Sequence, residues 1–219
     1  MERLNGWKFV AALSALWIGS SLVIAHADTI TTLFDTGVDS SGIPLSTAGL
    51  IDPHYTNGAS GPVYTDSYPY PAVYPNSNYV TVDQVNGTSD GGYYTTTFST
   101  SFMLPTDTIL STVDIAGNWS VDDAGLNILI NGNATGLTQN GWWMVTPFVL
   151  PTEYYQTGDN TLSFEWGNNA GPGGINVAFT TQTFTTYTPE PSVLVALGAL
   201  ALSGSTLACR RRKRIYVEN

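Results

Sequence analysis

From Thr161 to Trp166 the chain reads Thr161-Leu162-Ser163-Phe164-Glu165-Trp166, with every large apolar side chain on one parity and every polar one on the other. Successive side chains of an extended backbone point to opposite faces, so this stretch is a strand with one face in a core and the other in water. The same two-residue period recurs in both directions. It appears in Tyr94, Phe98, Phe102 and Leu104; in Val113, Ile115, Trp119 and Val121; in Leu126, Ile128 and Ile130; and in Ile175, Val177 and Phe179. Turn residues separate the runs: Asn86-Gly87, Asp90-Gly91-Gly92, Asn131-Gly132, Gly158-Asp159-Asn160 and Gly171-Pro172-Gly173-Gly174. Strands are therefore expected near Thr29–Phe34, Tyr79–Val82, Tyr93–Leu104, Thr112–Ile115, Leu126–Ile130, Met144–Leu150, Asn160–Trp166 and Gly174–Phe184. Strands at this spacing, with no amphipathic helix between them, predict an all-β fold, a β-sandwich of jelly-roll type. The Pro- and Tyr-rich segment from Ile51 to Asn78 is expected to be an irregular excursion over the surface.

The charges divide the chain differently. Of 219 residues, seven are Lys or Arg, and all seven lie near the ends: Arg3, Lys8, Arg210, Arg211, Arg212, Lys213 and Arg214. The 17 acidic residues, less Glu2, Glu190 and Glu218, leave 14 between Asp28 and Tyr187, with His54 the only ionisable cation there. That stretch cannot neutralise phosphates, which excludes nucleic-acid binding. Aromatic residues make up 12% of the chain, too many for a disordered polymer. The only cysteine is Cys209, so no disulfide framework exists.

Residues 1–27 have the order of a secretory signal peptide. Arg3 and Lys8 precede an apolar run from Phe9 to Ile24, and Ala25-His26-Ala27 offers small residues where signal peptidase reads them. Cleavage before Asp28 is expected; the alternative, a permanent anchor, has an apolar run short of the roughly 20 residues needed to span. At the other end, an apolar run from Val193 to Ala208 meets Arg210, Arg211, Arg212, Lys213 and Arg214, a cluster that holds this end on the cytoplasmic side. Just ahead of it stands Pro189-Glu190-Pro191, whose prolines keep the backbone extended and out of helix or sheet.

Pro-Glu-Pro, a transmembrane helix and an Arg-rich end, in that order over residues 188–219, resemble the PEP-CTERM sorting signal of Gram-negative bacteria. The resemblance implies processing by an exosortase, a membrane-embedded protease and transpeptidase, in an envelope rich in exopolysaccharide and biofilm. Cys209 is open to two readings, a lipidation site or a small residue closing the span. The expected organisation is thus 1–27 signal peptide, 28–187 β-sandwich passenger and 188–219 sorting signal. The expected course is export, transient anchoring in the inner membrane, then release to the cell surface or extracellular matrix.

Within the passenger, Asp114 to Asp123, Leu126 to Gly132, Phe148 to Leu150 and Gly158 to Phe164 together resemble the galactose-binding-like jelly rolls of carbohydrate-binding modules. The resemblance implies a sandwich whose loops bind glycan, often with a structural calcium ion. The residues themselves offer three kinds of chemistry. Trp142 and Trp143, with Asn168 and Asn169, have the aromatic face and amides that a sugar needs. Asp122 and Asp123 are hard oxygen donors suited to Ca²⁺, or else solvated charge at a turn. Asp122, Asp123, Glu153 and Glu165 are the carboxylates a glycoside hydrolase would draw on. With one His and no Lys, Arg or Cys between Asp28 and Tyr187, no nucleophilic triad or oxyanion cation is expected, and the passenger reads as non-catalytic. Two functions follow from different classes: a glycan-associated binding module, or an acidic structural matrix protein with no specific ligand.

Overall fold

The computed structural model describes residues 24–66, 76–83, 89–141 and 143–188. Ala25–Thr188 forms one compact unit. Its strands are β1 (Ile24–Thr29), β2 (Ile51–Asn57), β3 (Gly61–Thr65), β4 (Val80–Thr81), β5 (Ser89–Leu104), β6 (Asp114–Asp122), β7 (Ala124–Ile130), β8 (Asn133–Ala134), β9 (Gln139–Asn140), β10 (Thr146–Val149), β11 (Gly158–Gly171) and β12 (Gly174–Thr188). Two short 3-10 turns, Leu110–Thr112 and Thr152–Tyr154, interrupt them. Among the described residues there is no α-helix, and none long and apolar enough to cross a membrane. Almost all of the expected signal peptide and the sorting signal from Pro189 onward lie outside the described residues.

The strands hydrogen-bond in the order β10-β6-β12-β4-β3-β2-β5-β11-β7-β8, with β1 on β12 and β9 on β7. The sheet folds over so that its two wings face each other, giving the all-β sandwich. Trp119 of β6 lies 6.0 Å, ring to ring, from Phe164 of β11. Phe148 of β10 meets the same Phe164 at 6.3 Å and Phe179 of β12 at 6.0 Å. The decisive parity holds: Leu162, Phe164 and Trp166 are fully buried. In β11 they stand between β5 and β7, with Phe164 opposite Phe98 on one side and Ile128 on the other. Trp119 and Trp166 occupy the core as their parity requires. Each large apolar side chain removed from water here contributes about 1.5–3 kcal/mol.

Two glycines are conditions of this packing. A Cβ on Gly125 of β7 would stand 2.4 Å from the Trp119 ring, and one on Gly117 of β6 would stand 2.6 Å from both the Ala178 carbonyl and the Phe148 ring. The Asn131-Gly132 hairpin joining β7 to β8 has φ of 52° and 80° at its two central residues, the conformation this dipeptide favours.

Two expectations are corrected. The segment from Ile51 is not irregular: β2 and β3 form a hairpin joined to β5 through Thr56 opposite Ser99. Pro53 and Pro62 hid it, because proline argues against a ladder; Pro53 lies within the irregular register between Ile51 and Thr56. His54 accordingly sits in a strand, stacked 3.8 Å from Phe34, with Nε2 2.8 Å from the Asp39 carbonyl. The neighbouring Asp52, buried, accepts N–H bonds from Gly37 and His54, while its burial raises its pKa. Finally, the expected strand at Thr29–Phe34 is displaced: β1 ends at Thr29. Residues Ile30 to Thr36 run outside any strand, held to β12 by Ile30 N–H to the Gln182 carbonyl (2.9 Å) and Thr36 N–H to the Val177 carbonyl (3.0 Å).

Candidate functional site

Asp122 ends β6 and Asp123 forms the corner into β7, so both carboxyl groups emerge where two core strands turn. Asp123 ties three segments together. Its N–H donates to the Gly167 carbonyl of β11 (3.0 Å), and its carbonyl accepts the N–H of Gly141, just beyond β9 (2.9 Å). Its Oδ2 accepts the Asn169 N–H at 2.6 Å. Residues separated by 18 to 46 positions in the sequence are thereby gathered at one end of the sandwich.

Trp143 belongs to this end. Gly141 has φ of 98°, and a Cβ there would stand 2.8 Å from the Trp143 ring, so the indole lies directly against the glycine backbone. The turn is braced from below by buried Gln139, whose Nε2 donates to the carbonyls of Gly141 (2.6 Å) and Met144 (3.2 Å). Above it Trp143 is 64% exposed, beside exposed Met144 and Val145. Trp143 therefore sits in a turn ahead of β10, which begins at Thr146 and not at the expected Met144. Its neighbour Trp142 lies outside the described residues.

The two asparagines divide their roles. Asn169 is exposed beside Asp123. Asn168 is 0% exposed; its Nδ2 donates to the Gly171 carbonyl (2.9 Å), and it packs where Gly173 leaves no room for a Cβ. It shapes the loop from within. Asn160, near the start of β11, is likewise buried, bonding the Gln156 and Gly158 carbonyls and accepting from Asn131.

The acid corner is electrostatically tense. Partial burial, then a hydrogen bond that the protonated Asp122 donates to the Asp123 carboxylate and that residue's charge, then the charge of Asp66, raise the Asp122 pKa to about 7. Asp122 is therefore only partly ionised near neutrality. Tyr79 donates to the Ser120 hydroxyl (2.6 Å) and is pushed up to about 12 by burial. Burial also raises Tyr94, which meets the Asn168 side chain and feels Asp83, Asp122 and Asp66.

Among the described residues no three His, Cys, Asp or Glu side chains gather closely enough to hold a metal ion. Asp122 and Asp123 alone are too few for the six to eight oxygens of Ca²⁺. Of the hydrolase candidates, Glu153 lies in the turn Thr152–Tyr154, whose Tyr154 carbonyl accepts from Asn131 at the far end of β7. Asp123 precedes the start of that strand, so the two are separated by roughly 20 Å, well beyond the reach of a glycosidase pair. Glu165 projects from β11 on the parity opposite the core residues.

No protein-family model matches the chain, and no curated protein matches it. Among solved structures it is similar to the carbohydrate-binding module CBM35 from Paenibacillus barcinonensis, with 16% identity and a TM-score of 0.37 over 59% of this chain and 94% of that one. It is also similar to a cycloisomaltooligosaccharide glucanotransferase from Paenibacillus sp. (14% identity, TM-score 0.30, 63% of this chain) and a β-glucosidase from Kluyveromyces marxianus (10%, 0.32, 73%). The chain spans only 18% and 20% of the length of those two enzymes.

Proposed function

We propose that the chain is an exported, non-catalytic β-sandwich of galactose-binding-like type that associates with envelope glycan and is sorted through its PEP-CTERM tail. The observation that supports glycan binding is the exposed Trp143 ring, seated on Gly141 and fixed through Asp123 beside the Asn169 backbone. A rigid indole offers the apolar face of a pyranose a platform, and neighbouring carboxylate and amide groups offer partners for its hydroxyls. With no Lys or Arg between Asp28 and Tyr187, polyuronates are repelled, so the favoured ligand is an uncharged or amine-bearing exopolysaccharide. Calcium is a second proposal for Asp122 and Asp123, with the missing oxygens supplied by backbone or glycan. Pro189, Glu190 and Pro191, with the basic cluster from Arg210 to Arg214, support processing by an exosortase after signal peptidase has acted.

Affinity electrophoresis on neutral, amine-bearing and uronate polysaccharides, with and without EDTA, tests the binding reading. Retardation is expected on at least one neutral or amine-bearing polymer and is lost in Trp143→Ala with an unchanged circular dichroism spectrum. No retardation on any polymer would leave the acidic structural matrix role.

A further inference from the structure

Strand β1 pairs with β12, and the contact continues as Ile30 N–H to the Gln182 carbonyl at 2.9 Å. The Thr186 hydroxyl reaches the Asp28 carboxylate at 3.4 Å. The opposite edge of this part of β12 is occupied by another loop: Ile109 N–H bonds the Thr185 carbonyl (2.8 Å), and Tyr187 N–H bonds the Asp107 carbonyl (3.0 Å). Backbone groups alternate in direction along a strand, so those of Thr185 and Tyr187 face that loop while those of Thr186 and Thr188 face β1. Four of the six residues of β1, Ile24 to Ala27, precede the expected signal-peptidase cut at Asp28.

We infer that removal of the leader uncovers a short strand edge at Thr186 to Thr188, directly ahead of Pro189-Glu190-Pro191. We further infer that the substrate cleft of the tail-removing protease pairs with this edge, so that the N-terminal cut licenses the C-terminal one. The inference rests on the processing at both ends proposed above. The size of the edge selects the partner. Three residues bury far less than the roughly 1,000 Å² a specific interface between two copies needs, and two polyanionic copies repel each other. A protease cleft that holds its substrate as an added strand needs only such a brief main-chain pairing. The stretch Phe184 to Thr188 is uncharged, and its sequence is followed by prolines at 189 and 191. Each cut breaks one peptide bond. At the first, water gives its hydroxyl to Ala27 and a proton to the Asp28 amine. At the second, the acyl carbon passes to water or an acceptor nucleophile, and the tail leaves with a free amine.

The test follows the full-length chain by pulse-chase and mass spectrometry in cells that possess an exosortase. Ala25→Leu with Ala27→Leu removes the small residues signal peptidase reads and keeps β1; tail removal should slow at least tenfold. Adding His26→Pro to that pair deletes a backbone N–H on the parity of Ile30, which faces β12, and so detaches β1 without any cut. Tail removal should then return although the leader is retained. Equal trimming of the double-leucine and wild-type chains, or no rescue by the proline, overturns the inference and leaves the processing reading intact. A wild-type chain that keeps its tail overturns the processing reading itself, and the inference with it.

Discussion

At the level of single residues, the Trp119 ring shows how narrowly the core is specified. Gly125→Ala would put a methyl group 2.4 Å from that ring, and the ring, fully buried, has nowhere to go. Overpacking of this kind costs about 1–3 kcal/mol, expected as a fall in thermal midpoint of roughly 2–10 °C for a domain of this size. Gly141→Ala should act differently. It introduces strain at φ of 98° and pushes Trp143 aside at the surface, so glycan retardation should be lost with much of the stability kept. Asp122 gives a prediction in pH. Its folded pKa, about 7, lies above the ordinary value of 3.8, so the folded state holds an extra proton between these limits. Stability from this group is complete below about pH 4 and is lost as pH rises through about 7. Asp35 and Asp52, both raised by burial, act in the same sense. Asp39, lowered by N–H bonds from Ile43 and Ser41, opposes them from an exposed position where solvent screens it. The thermal midpoint should thus fall by a few degrees from pH 5 to pH 8, and Asp122→Asn should flatten that fall. A midpoint that rises over this range would contradict the raised pKa of Asp122.

At the level of elements, what could be read from the sequence follows from where the signal lies. β5, β6, β7, β11 and β12 announce themselves because each buries one face, and burial of one face writes a period of two into the side chains. The hairpin of β2 and β3 does not, since Pro53 and Pro62 mask the pattern and its register breaks between Ile51 and Thr56. β1 escaped for another reason: its first four residues read as the end of the expected signal peptide, and the same letters cannot show that they also pair with β12. The site was legible in its parts and not in its assembly. Trp143, Asp122, Asp123 and Asn169 stand out by residue type, but the bonds that gather them run through the backbone of Gly141, Gly167 and Asn169, and backbone groups leave no mark in a sequence. Asn168 looked like a ligand contact for the same reason, its burial being decided by Gly173 and Gly171 across the loop. Asp123→Ala isolates the side-chain part of this assembly. It removes the bond to Asn169 and leaves both backbone bonds in place, so Asn169 amide exchange should accelerate at least tenfold while the Gly141 amide stays protected, read by hydrogen exchange.

At the level of the whole molecule, the separation of charge dominates. The basic residues lie at the two ends and 14 carboxylates lie between Asp28 and Tyr187, so this stretch folds against its own repulsion without Lys or Arg of its own to relieve it. The acid corner is the local extreme of this general condition: burial, then the hydrogen bond and charge of Asp123, then the charge of Asp66, raise the Asp122 pKa. Two ways of relieving the repulsion predict different salt responses. Monovalent salt shrinks the Debye length from about 30 Å at 0.01 M to about 3 Å at 1 M, so the midpoint at pH 8 should rise by several degrees with NaCl alone. A specific calcium site at Asp122 and Asp123 adds a saturable gain on top, set by ligand concentration against affinity. At matched ionic strength, millimolar CaCl₂ should then exceed NaCl in the wild-type chain and lose its advantage in the Asp122→Asn, Asp123→Asn double variant. Equal midpoints in the two salts would assign the whole effect to screening and count against a calcium site at Asp122 and Asp123.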